Sequence, residues 1–229
     1  ACASPATLNR LELGANFSDR YRKVHADPQA LEDALLELGV RCLPTDSKVL
    51  ILDFDATDDP LHGRQEGRFF HGYYGNYCYL PLYCFCGSVP LWAQLRSSDK
   101  DASTGTVEAL KKIVAAIRRR VPKVKIVVRG DSGFAREAIM AWCEGQSDVF
   151  YLLGMARNRR LEQLASGAAL RAAASFCLTG VASRSYMETP YRTCTSWSQE
   201  RRMLCKAETL PGPKNNPRFV VTNIPEEGI

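Results

Sequence analysis

The chain has 229 residues, enough for one sizeable hydrophobic core or for a core with a small additional domain. Hydrophobic residues make up 45% and charged residues 24%, which is typical of a globular protein and excludes a disordered one. The net charge of +5 is too small to define a partner, so the positions of the basic residues matter more than their sum.

The sequence predicts a cytoplasmic protein that has no membrane partner. It contains no apolar run long enough to span a bilayer, and residues 1–10 lack the basic and apolar regions of a secretory signal. Nine cysteines occur at irregular spacing. Cys78, Cys84 and Cys86 would share one face of a strand, which favours buried thiols in a reducing compartment over a zinc site.

The first half of the chain predicts one helix followed by three strands. Residues 31–38 have helical apolar spacing, with Asp27-Pro28 as a start signal and Gly39 as a stop signal. Residues 48–54 form a short apolar run, typical of a buried strand, that ends in acidic residues. The aromatic stretch 69–85 predicts a strand, and residues 91–96 predict another that pairs back after a turn at 87–90.

The second half alternates helices and strands. Ser103 or Thr104 could cap an amphipathic helix that Pro122 ends. A strand at 125–128, a helix at 134–142 and a strand at 149–153 follow. Short connections predict that the first three strands are antiparallel, and helical crossovers predict that the later ones are parallel. This α/β order is that of the ribonuclease H fold, with a mixed sheet.

Beyond residue 157 the pattern changes. We expect a helix at 161–174 and strands at 191–196, 201–206 and 218–223. The predicted organisation is an N-terminal helical segment (1–47), a ribonuclease H-like core (48–156), a partly β insertion domain (157–216) and a return strand to the core (217–229).

Two acidic positions stand out at the ends of predicted strands. Asp53 and Asp55 would point to the same face of one strand, and Asp131 follows another strand between two glycines. If the two strands are neighbours, Asp55 and Asp131 meet at one sheet edge. Paired carboxylates there could hold two divalent metal ions about 4 Å apart, as required for in-line displacement at a phosphodiester.

Two other interpretations of these acids remain open. Aspartate is common in turns, and for Asp58 and Asp59 beside Pro60 a structural role is preferred. The series Asp53-x-Asp55-x-Thr57 also matches the first motif of haloacid-dehalogenase-type phosphatases, with Asp53 as nucleophile and Asp55 as acid/base. That fold requires an all-parallel sheet, whereas β-segments follow the first strand here.

Long motifs carry a family resemblance. The segments LDFDATDDPLHG (52–63), QEGRFFHGYYGNYCYLPLY (65–83), DASTGTVE (101–108) and RGDSGFAREAIMAWCE (129–144) resemble the DDE transposases of bacterial insertion sequences. The group is the one called insertion-sequence thirteen-eighty, within the insertion-sequence-four superfamily. The likeness runs from ASPATLNRLE near the start to RFVVTNIP near the end.

The resemblance implies a metal-dependent enzyme that cleaves DNA at transposon ends and joins it to a target. Its first two catalytic acids fall on Asp55 and Asp131, which would bind Mg²⁺ or Mn²⁺. The family's third acid, a Glu in a signature on a later helix, has no match, and Glu226 and Glu227 are not assigned to that role. We therefore expect an internal fragment that is inactive alone, with a homodimer open for the full-length protein. The alternative is a non-catalytic DNA-binding remnant.

Basic residues are candidate contacts to DNA phosphates because they cluster along the chain. By position these are Arg118, Arg119, Arg120, Lys123, Lys125, Arg129 and Arg136. A second cluster lies at Arg157, Arg159 and Arg160, and solvated helix ends remain the alternative for both clusters.

Histidines and tyrosines in the motifs leave further alternatives open. His62 and His71 could act as general bases or brace loops. Tyr73, Tyr74, Tyr77 and Tyr79 could stack on flipped bases or simply pack on a sheet.

Overall fold

A computed structural model describes residue 4 and residues 27–63, 65, 67–212 and 215–229. The N-terminal part of the predicted helical segment and most of the ASPATLNRLE motif lie outside the described residues. Five helices and eleven strands occur in the described part of the chain. The helices are α1 (Pro28–Cys42), α2 (Thr106–Arg120), α3 (Glu137–Glu144), α4 (Arg159–Leu164) and α5 (Ser166–Thr179). The strands are β1 (Val49–Ala56), β2 (Asp59–Pro60), β3 (Phe69–His71), β4 (Asn76–Tyr79), β5 (Leu82–Cys86), β6 (Val89–Gln94), β7 (Lys125–Gly130), β8 (Val149–Met155), β9 (Ser183–Tyr191), β10 (Arg201–Thr209) and β11 (Arg218–Thr222).

The main sheet is mixed and ribonuclease H-like, which confirms the predicted fold class. Its eight strands have the order β6-β5-β1-β7-β8-β11-β10-β9. Strands β5 and β6 pair antiparallel with each other and β5 pairs antiparallel with β1, whereas β1, β7 and β8 are parallel neighbours. The parallel pairing places the carboxyl ends of β1, β7 and β8 at one edge of the sheet.

The aromatic stretch 69–85 is not one strand, so that prediction was wrong. It contains β3, β4 and β5, and β3 and β4 join β2 in a separate sheet of order β2-β4-β3. The turn between β3 and β4 contains Gly75 with a φ of 69°, a conformation that favours glycine. The small sheet lies between β1 and β5 in the chain.

Three predicted boundaries also differ from the structure. Helix α1 continues through Gly39 to Cys42, and the missing Cβ of Gly39 lets the helix approach the backbone of Pro90 closely. Gly105, and neither Ser103 nor Thr104, precedes the first turn of α2. Residues 192–196 are not a strand; β9 ends at Tyr191, and the following loop brings Trp197 against the Tyr191 ring at a centroid distance of 5.7 Å.

The core lies on one face of the main sheet. Alternate residues of β1 (Leu50, Leu52 and Phe54) pack with the apolar faces of α1, α2 and α3 in one buried cluster. The intervening residues Ile51 (41% exposed), Asp53 and Asp55 point to the other face. None of the described helices is long and apolar enough to cross a membrane.

A buried arginine ties the C-terminal strands to α3. Arg201 on β10, with 2% of its side chain exposed, pairs with Glu137 at 2.7 Å and with Glu144 at 2.6 Å. The Glu144 carboxylate also accepts a hydrogen bond from the Tyr151 hydroxyl at 2.7 Å. Hydrogen bonds from Arg201 are the main reason why the pKa of Glu137 falls from 4.5 to about 2. The ion pairs join β10 to α3, and the Tyr151 hydrogen bond adds β8; all of these contacts are strongest when both glutamates are ionised.

Replacement of Arg201 by alanine should destabilise the chain in a pH-dependent way. At pH 7 the change leaves two part-buried carboxylates unpaired, and we expect a loss of about 3 kcal/mol in the free energy of unfolding. Because the folded-state pKa of Glu137 is depressed, its contribution is complete above pH 4.5 and disappears as the pH falls toward about 2. The difference between wild type and Arg201→Ala in urea unfolding should shrink over that range.

The matched control is Arg41→Ala. Arg41 forms an exposed pair with Glu37, in which both side chains are 65% accessible, so about 0.5 kcal/mol or less is expected. Equal effects of the two substitutions at pH 7 would contradict the role of Arg201.

A pair of helical glycines tests the contact between α1 and β6. A Cβ atom at Gly39 would lie 2.4 Å from the Pro90 carbonyl oxygen, whereas one at Gly167 in α5 would lie 3.7 Å from Nη1 of Arg171. Gly39→Ala should therefore destabilise by about 1–3 kcal/mol through overpacking. Gly167→Ala should be neutral or stabilise by up to about 1 kcal/mol. Thermal unfolding of both variants measures the difference, and a stabilising Gly39→Ala would contradict the close approach.

Candidate active site

Two aspartates lie at the carboxyl ends of the neighbouring parallel strands β1 and β7. In the register of β1 and β7, Phe54 is paired with Gly130, and Asp55 and Asp131 are the next residues in each segment. Neighbouring strands are about 4.8 Å apart, so the two aspartates leave the sheet beside each other. The sequence prediction required these strands to be neighbours, and the structure places them so.

The backbone around Asp131 is held by close packing. The Asp131 carboxylate accepts a hydrogen bond from the amide of Gly133 at 2.8 Å, which forms a tight turn. A Cβ atom at Gly130 would lie 2.9 Å from Phe134, and one at Gly154 on β8 would lie 3.2 Å from the carbonyl carbon of Asp131. Because neither glycine has a Cβ atom, the Asp131 turn can pack directly against β8 and the Phe134 side chain.

Both carboxylates are exposed and suited to a hard divalent cation. Asp55 accepts a hydrogen bond from the amide of Ala56 at 2.9 Å, and Asp131 bonds to Gly133. No ion pair engages either carboxylate within the described residues. Oxygen ligands with this freedom fit Mg²⁺ or Mn²⁺. No group of three His, Cys, Asp or Glu side chains suited to a metal occurs in the part of the chain that the structure describes.

Asp53 has a different environment from Asp55. Its carboxylate forms two hydrogen bonds with the Arg129 guanidinium, one of them 2.8 Å between Oδ2 and Nη2. These bonds and the charge of Asp53 raise the pKa of Arg129. Asp53 and Arg129 are paired in the register of β1 and β7. Each lies two residues before an exposed aspartate, Asp55 or Asp131, so it points to the same face of the sheet. The ion pair thus neutralises Asp53, whereas Asp55 has no ion-pair partner among the described residues.

The loop before α2 braces the Asp131 turn. Asp101 pairs with Arg136 at 2.8 Å. Ala102 packs closely on Gly133, since a Cβ atom added at Gly133 would lie 3.2 Å from the Cβ of Ala102. Burial alone would raise the pKa of Asp101, but hydrogen bonds from Arg136 and Ser103 outweigh it and lower the pKa to about 2. Buried Arg96 donates to the carbonyl oxygen of Ala102 at 3.2 Å. Sequence reasoning missed Asp101 and Arg96, although the DASTGTVE motif marks the segment.

The predicted phosphate contacts fall into two groups. Arg118, Arg119, Arg120, Lys123 and Lys125 lie at the opposite end of β7 from Asp131, about 20 Å away at 3.3 Å per strand residue. Arg118 donates hydrogen bonds to the carbonyl oxygens of Pro122 at 3.0 Å and Ser147 at 2.9 Å, so it braces the loops there. Arg129 and Arg136 lie near Asp131, but each pairs with an aspartate.

A groove beside Asp131 contains two further arginines. It has a volume of about 410 Å³ and is lined by Arg129, Asp131, Arg157 and Arg218, among others. Arg157 pairs with Glu162, and Arg218 begins β11 on the far side of the groove. Sequence reasoning did not find Arg218, because only the pairing of β11 with β8 brings it close to Asp131.

The small sheet touches the carboxylate edge through Tyr74. The Tyr74 hydroxyl lies 3.4 Å from the carbonyl oxygen of Ala56, the residue after Asp55. Its pKa is raised by burial and by the negative charges of Asp58, Asp55 and Asp131, among others. The His71 ring packs against Tyr74 at 4.9 Å between centroids, whereas His62 is exposed. His71 thus has a packing contact at this edge.

Comparison with known proteins identifies a family for the chain. The family model described as Transposase DDE domain group 1 matches residues 1–228. No curated protein matches the chain.

The close contact between Gly154 and Asp131 gives a direct test of the site's geometry. Gly154→Ala should displace the Asp131 turn, because the new Cβ would lie 3.2 Å from two backbone atoms of that turn. Divalent cation binding, measured by calorimetry with Mn²⁺, should weaken by about tenfold, comparable to other changes that misplace a metal ligand.

Gly145→Ala is the matched control, since its Cβ would meet its nearest atom at an ordinary 3.5 Å. Unchanged Mn²⁺ binding in Gly154→Ala, with the protein folded, would show that the Asp131 turn does not form part of a cation site.

Proposed function

The chain belongs to the DDE transposase domain family, group 1, and from that premise we propose that it supplies the catalytic core of an insertion-sequence transposase. Its reaction would be metal-dependent cleavage of DNA at the element's ends followed by strand transfer into a target. The observation that supports this most strongly is the adjacency of Asp55 and Asp131 at the carboxyl edge of two parallel strands.

Asp55 and Asp131 would be the metal ligands supplied by β1 and β7. Mg²⁺ or Mn²⁺ bound there would activate a water or 3′-hydroxyl nucleophile and stabilise the leaving oxygen. The protein's own contribution is placement: the Gly133 amide orients the Asp131 carboxylate, and the Ala56 amide orients Asp55. Arg129 neutralises the negative charge of Asp53, which reduces the electrostatic repulsion between the site and a DNA phosphate.

The groove between Arg129 and Arg218 would carry the DNA backbone past Asp131. Its arginines offer planar donors to phosphate oxygens, and Arg136 lines a neighbouring cavity that shares Ser132 with the groove. We propose Arg157 and Arg218 as phosphate contacts in addition to Arg129 and Arg136. The residues of the Arg118–Lys125 cluster lie too far away to contact the same phosphates and would bind DNA only as a separate, salt-sensitive surface.

Because no third acid joins the two aspartates among the described residues, we propose that this chain alone binds the cation weakly and does not cleave DNA. The family resemblance places the third acid on a helix after the β-rich insertion. A non-catalytic DNA-binding remnant is the second candidate, and metal binding distinguishes the two functions.

The haloacid-dehalogenase alternative is disfavoured by two observations. That fold needs an all-parallel sheet, whereas β5 pairs antiparallel with β1 and β6. Its nucleophile would be Asp53, whose carboxylate is held by Arg129. A carboxylate bound to a guanidinium by two hydrogen bonds is a poor nucleophile.

Substitution of the two aspartates tests the proposed function. Asp55→Asn and Asp131→Asn should each weaken Mn²⁺ binding by about tenfold or more, since each removes an anionic ligand. Calorimetric titration with Mn²⁺ measures the change, and Asp46→Asn, which alters an exposed loop carboxylate outside the site, should leave binding unchanged.

If wild type binds DNA but no Mn²⁺, the remnant function is correct. If Asp46→Asn lowers Mn²⁺ binding as much as the site variants, the cation is attracted by surface charge and no defined site exists.

A further inference from the structure

The small sheet exposes an unusual concentration of aromatic rings. Phe70 is 59% exposed, Tyr77 is 48% exposed, and Tyr73 in the turn between β3 and β4 is 87% exposed. A solvent-exposed group of large aromatic side chains is costly in water and commonly marks an interaction surface. The packing of the main core does not explain these three rings.

The strand register places two of the rings on one face. Phe70 is paired with Tyr77 across β3 and β4, and their rings meet edge to face at a centroid distance of 5.6 Å. The neighbouring cross-strand pair, Phe69 and Cys78, points to the other face, where Cys78 is buried and Phe69 is 43% exposed. The Phe70–Tyr77 face is therefore the outer, aromatic face of the sheet.

A cation completes this outer face. The Arg68 guanidinium lies over the Tyr77 ring at 4.7 Å from its centroid. An arginine stacked on a tyrosine presents a flat surface and a positive charge together. Such a surface is complementary to a nucleotide, whose base stacks on rings while its phosphate binds the guanidinium.

The same hairpin reaches the carboxylate edge. Tyr73 contacts Tyr74 edge to face at 5.0 Å, and the Tyr74 hydroxyl lies 3.4 Å from the carbonyl oxygen of Ala56, next to Asp55. Asn76 on β4 donates to Asp58 at 3.4 Å, which fixes the hairpin to the segment after β1. The turn that carries Tyr73, next to the aromatic face, thus contacts the segment that follows Asp55.

We propose that Phe70, Tyr73, Tyr77 and Arg68 form a stacking surface for unpaired bases of the DNA strand whose phosphate lies at Asp55 and Asp131. This inference rests on the proposed function and adds a substrate feature to it, a preference for single-stranded or frayed DNA next to the reacting phosphate. A regular duplex hides its base faces, so it can engage only the arginine.

Binding of fluorescent oligonucleotides in Ca²⁺-containing buffer tests the proposal. The probes are a single-stranded oligothymidylate and a blunt duplex of the same length, measured by anisotropy with the 229-residue chain. Tyr73→Ala and Tyr77→Ala should each weaken single-strand binding by about tenfold, the usual effect of removing one stacking ring, and should change duplex binding less than twofold. Tyr73 is almost fully exposed, so its variant should fold normally.

Tyr186→Ala is the matched control, because Tyr186 is 66% exposed on β9, away from the small sheet. It should leave both affinities unchanged. Equal losses for single strand and duplex, or unchanged single-strand binding in Tyr73→Ala and Tyr77→Ala, would overturn the proposal. A change in oligomeric state by sedimentation in these variants without any change in DNA binding would overturn it too, in favour of a surface for a second copy.

Mn²⁺ titration of the same variants separates this inference from the proposed function. The aromatic variants should bind Mn²⁺ as wild type does, since none of the substituted rings is a ligand. If Mn²⁺ binding is intact and the single-strand preference is absent, the stacking surface is wrong and the metal site stands.

Discussion

Parallel pairing of β1 with β7 is the constraint on which the rest of the molecule depends. The two strands are far apart in sequence, and only the crossover through α2 allows them to lie side by side in the same direction. Their register sets Asp53 opposite Arg129 and leads Asp55 and Asp131 out of the sheet together. A slip of one residue would turn one of the two carboxylates into the helical core, so the buried residues of β1 and β7 also fix the site.

Besides the strand pairing, ion pairs hold the segments around Asp55 and Asp131 in place. They lie at different distances from the site. Arg129 neutralises Asp53, two residues before Asp55. The pair of Asp101 and Arg136 holds the turn that carries Asp131. Further away, Arg201 joins α3 to β10, and through them the C-terminal strands to the core. The exposed carboxylates Asp55 and Asp131 form no ion pair within the described part of the chain, whereas the neighbouring Asp53 and Asp101 are paired with arginines.

The sequence predicted most helices and strands of the core along the chain, and the position of Asp55 and Asp131 at strand ends, because short apolar runs and turn residues are local signals. It could not predict features that depend on contacts between distant segments. Gly39 looked like a helix stop, yet its small size serves the contact with Pro90 on β6. Arg118 is predicted as a DNA contact from its basic neighbours, but its hydrogen bonds to loop carbonyls could not be predicted from the sequence. Arg218 had no local signal. The stretch 69–85 looked like one strand because aromatic residues favour strands, and composition does not reveal where a strand turns into a second sheet.

The central claim is that the carboxylates of Asp55 and Asp131 are ligands of the same divalent cation site. A crystal of this chain soaked in Mn²⁺ and measured at the manganese absorption edge tests it most directly. Strong anomalous density within coordinating distance of both carboxylates is the expected result. Carboxylates more than about 10 Å apart, or manganese bound elsewhere with none between them, would contradict it, since metal ions that share a ligand lie only about 4 Å apart.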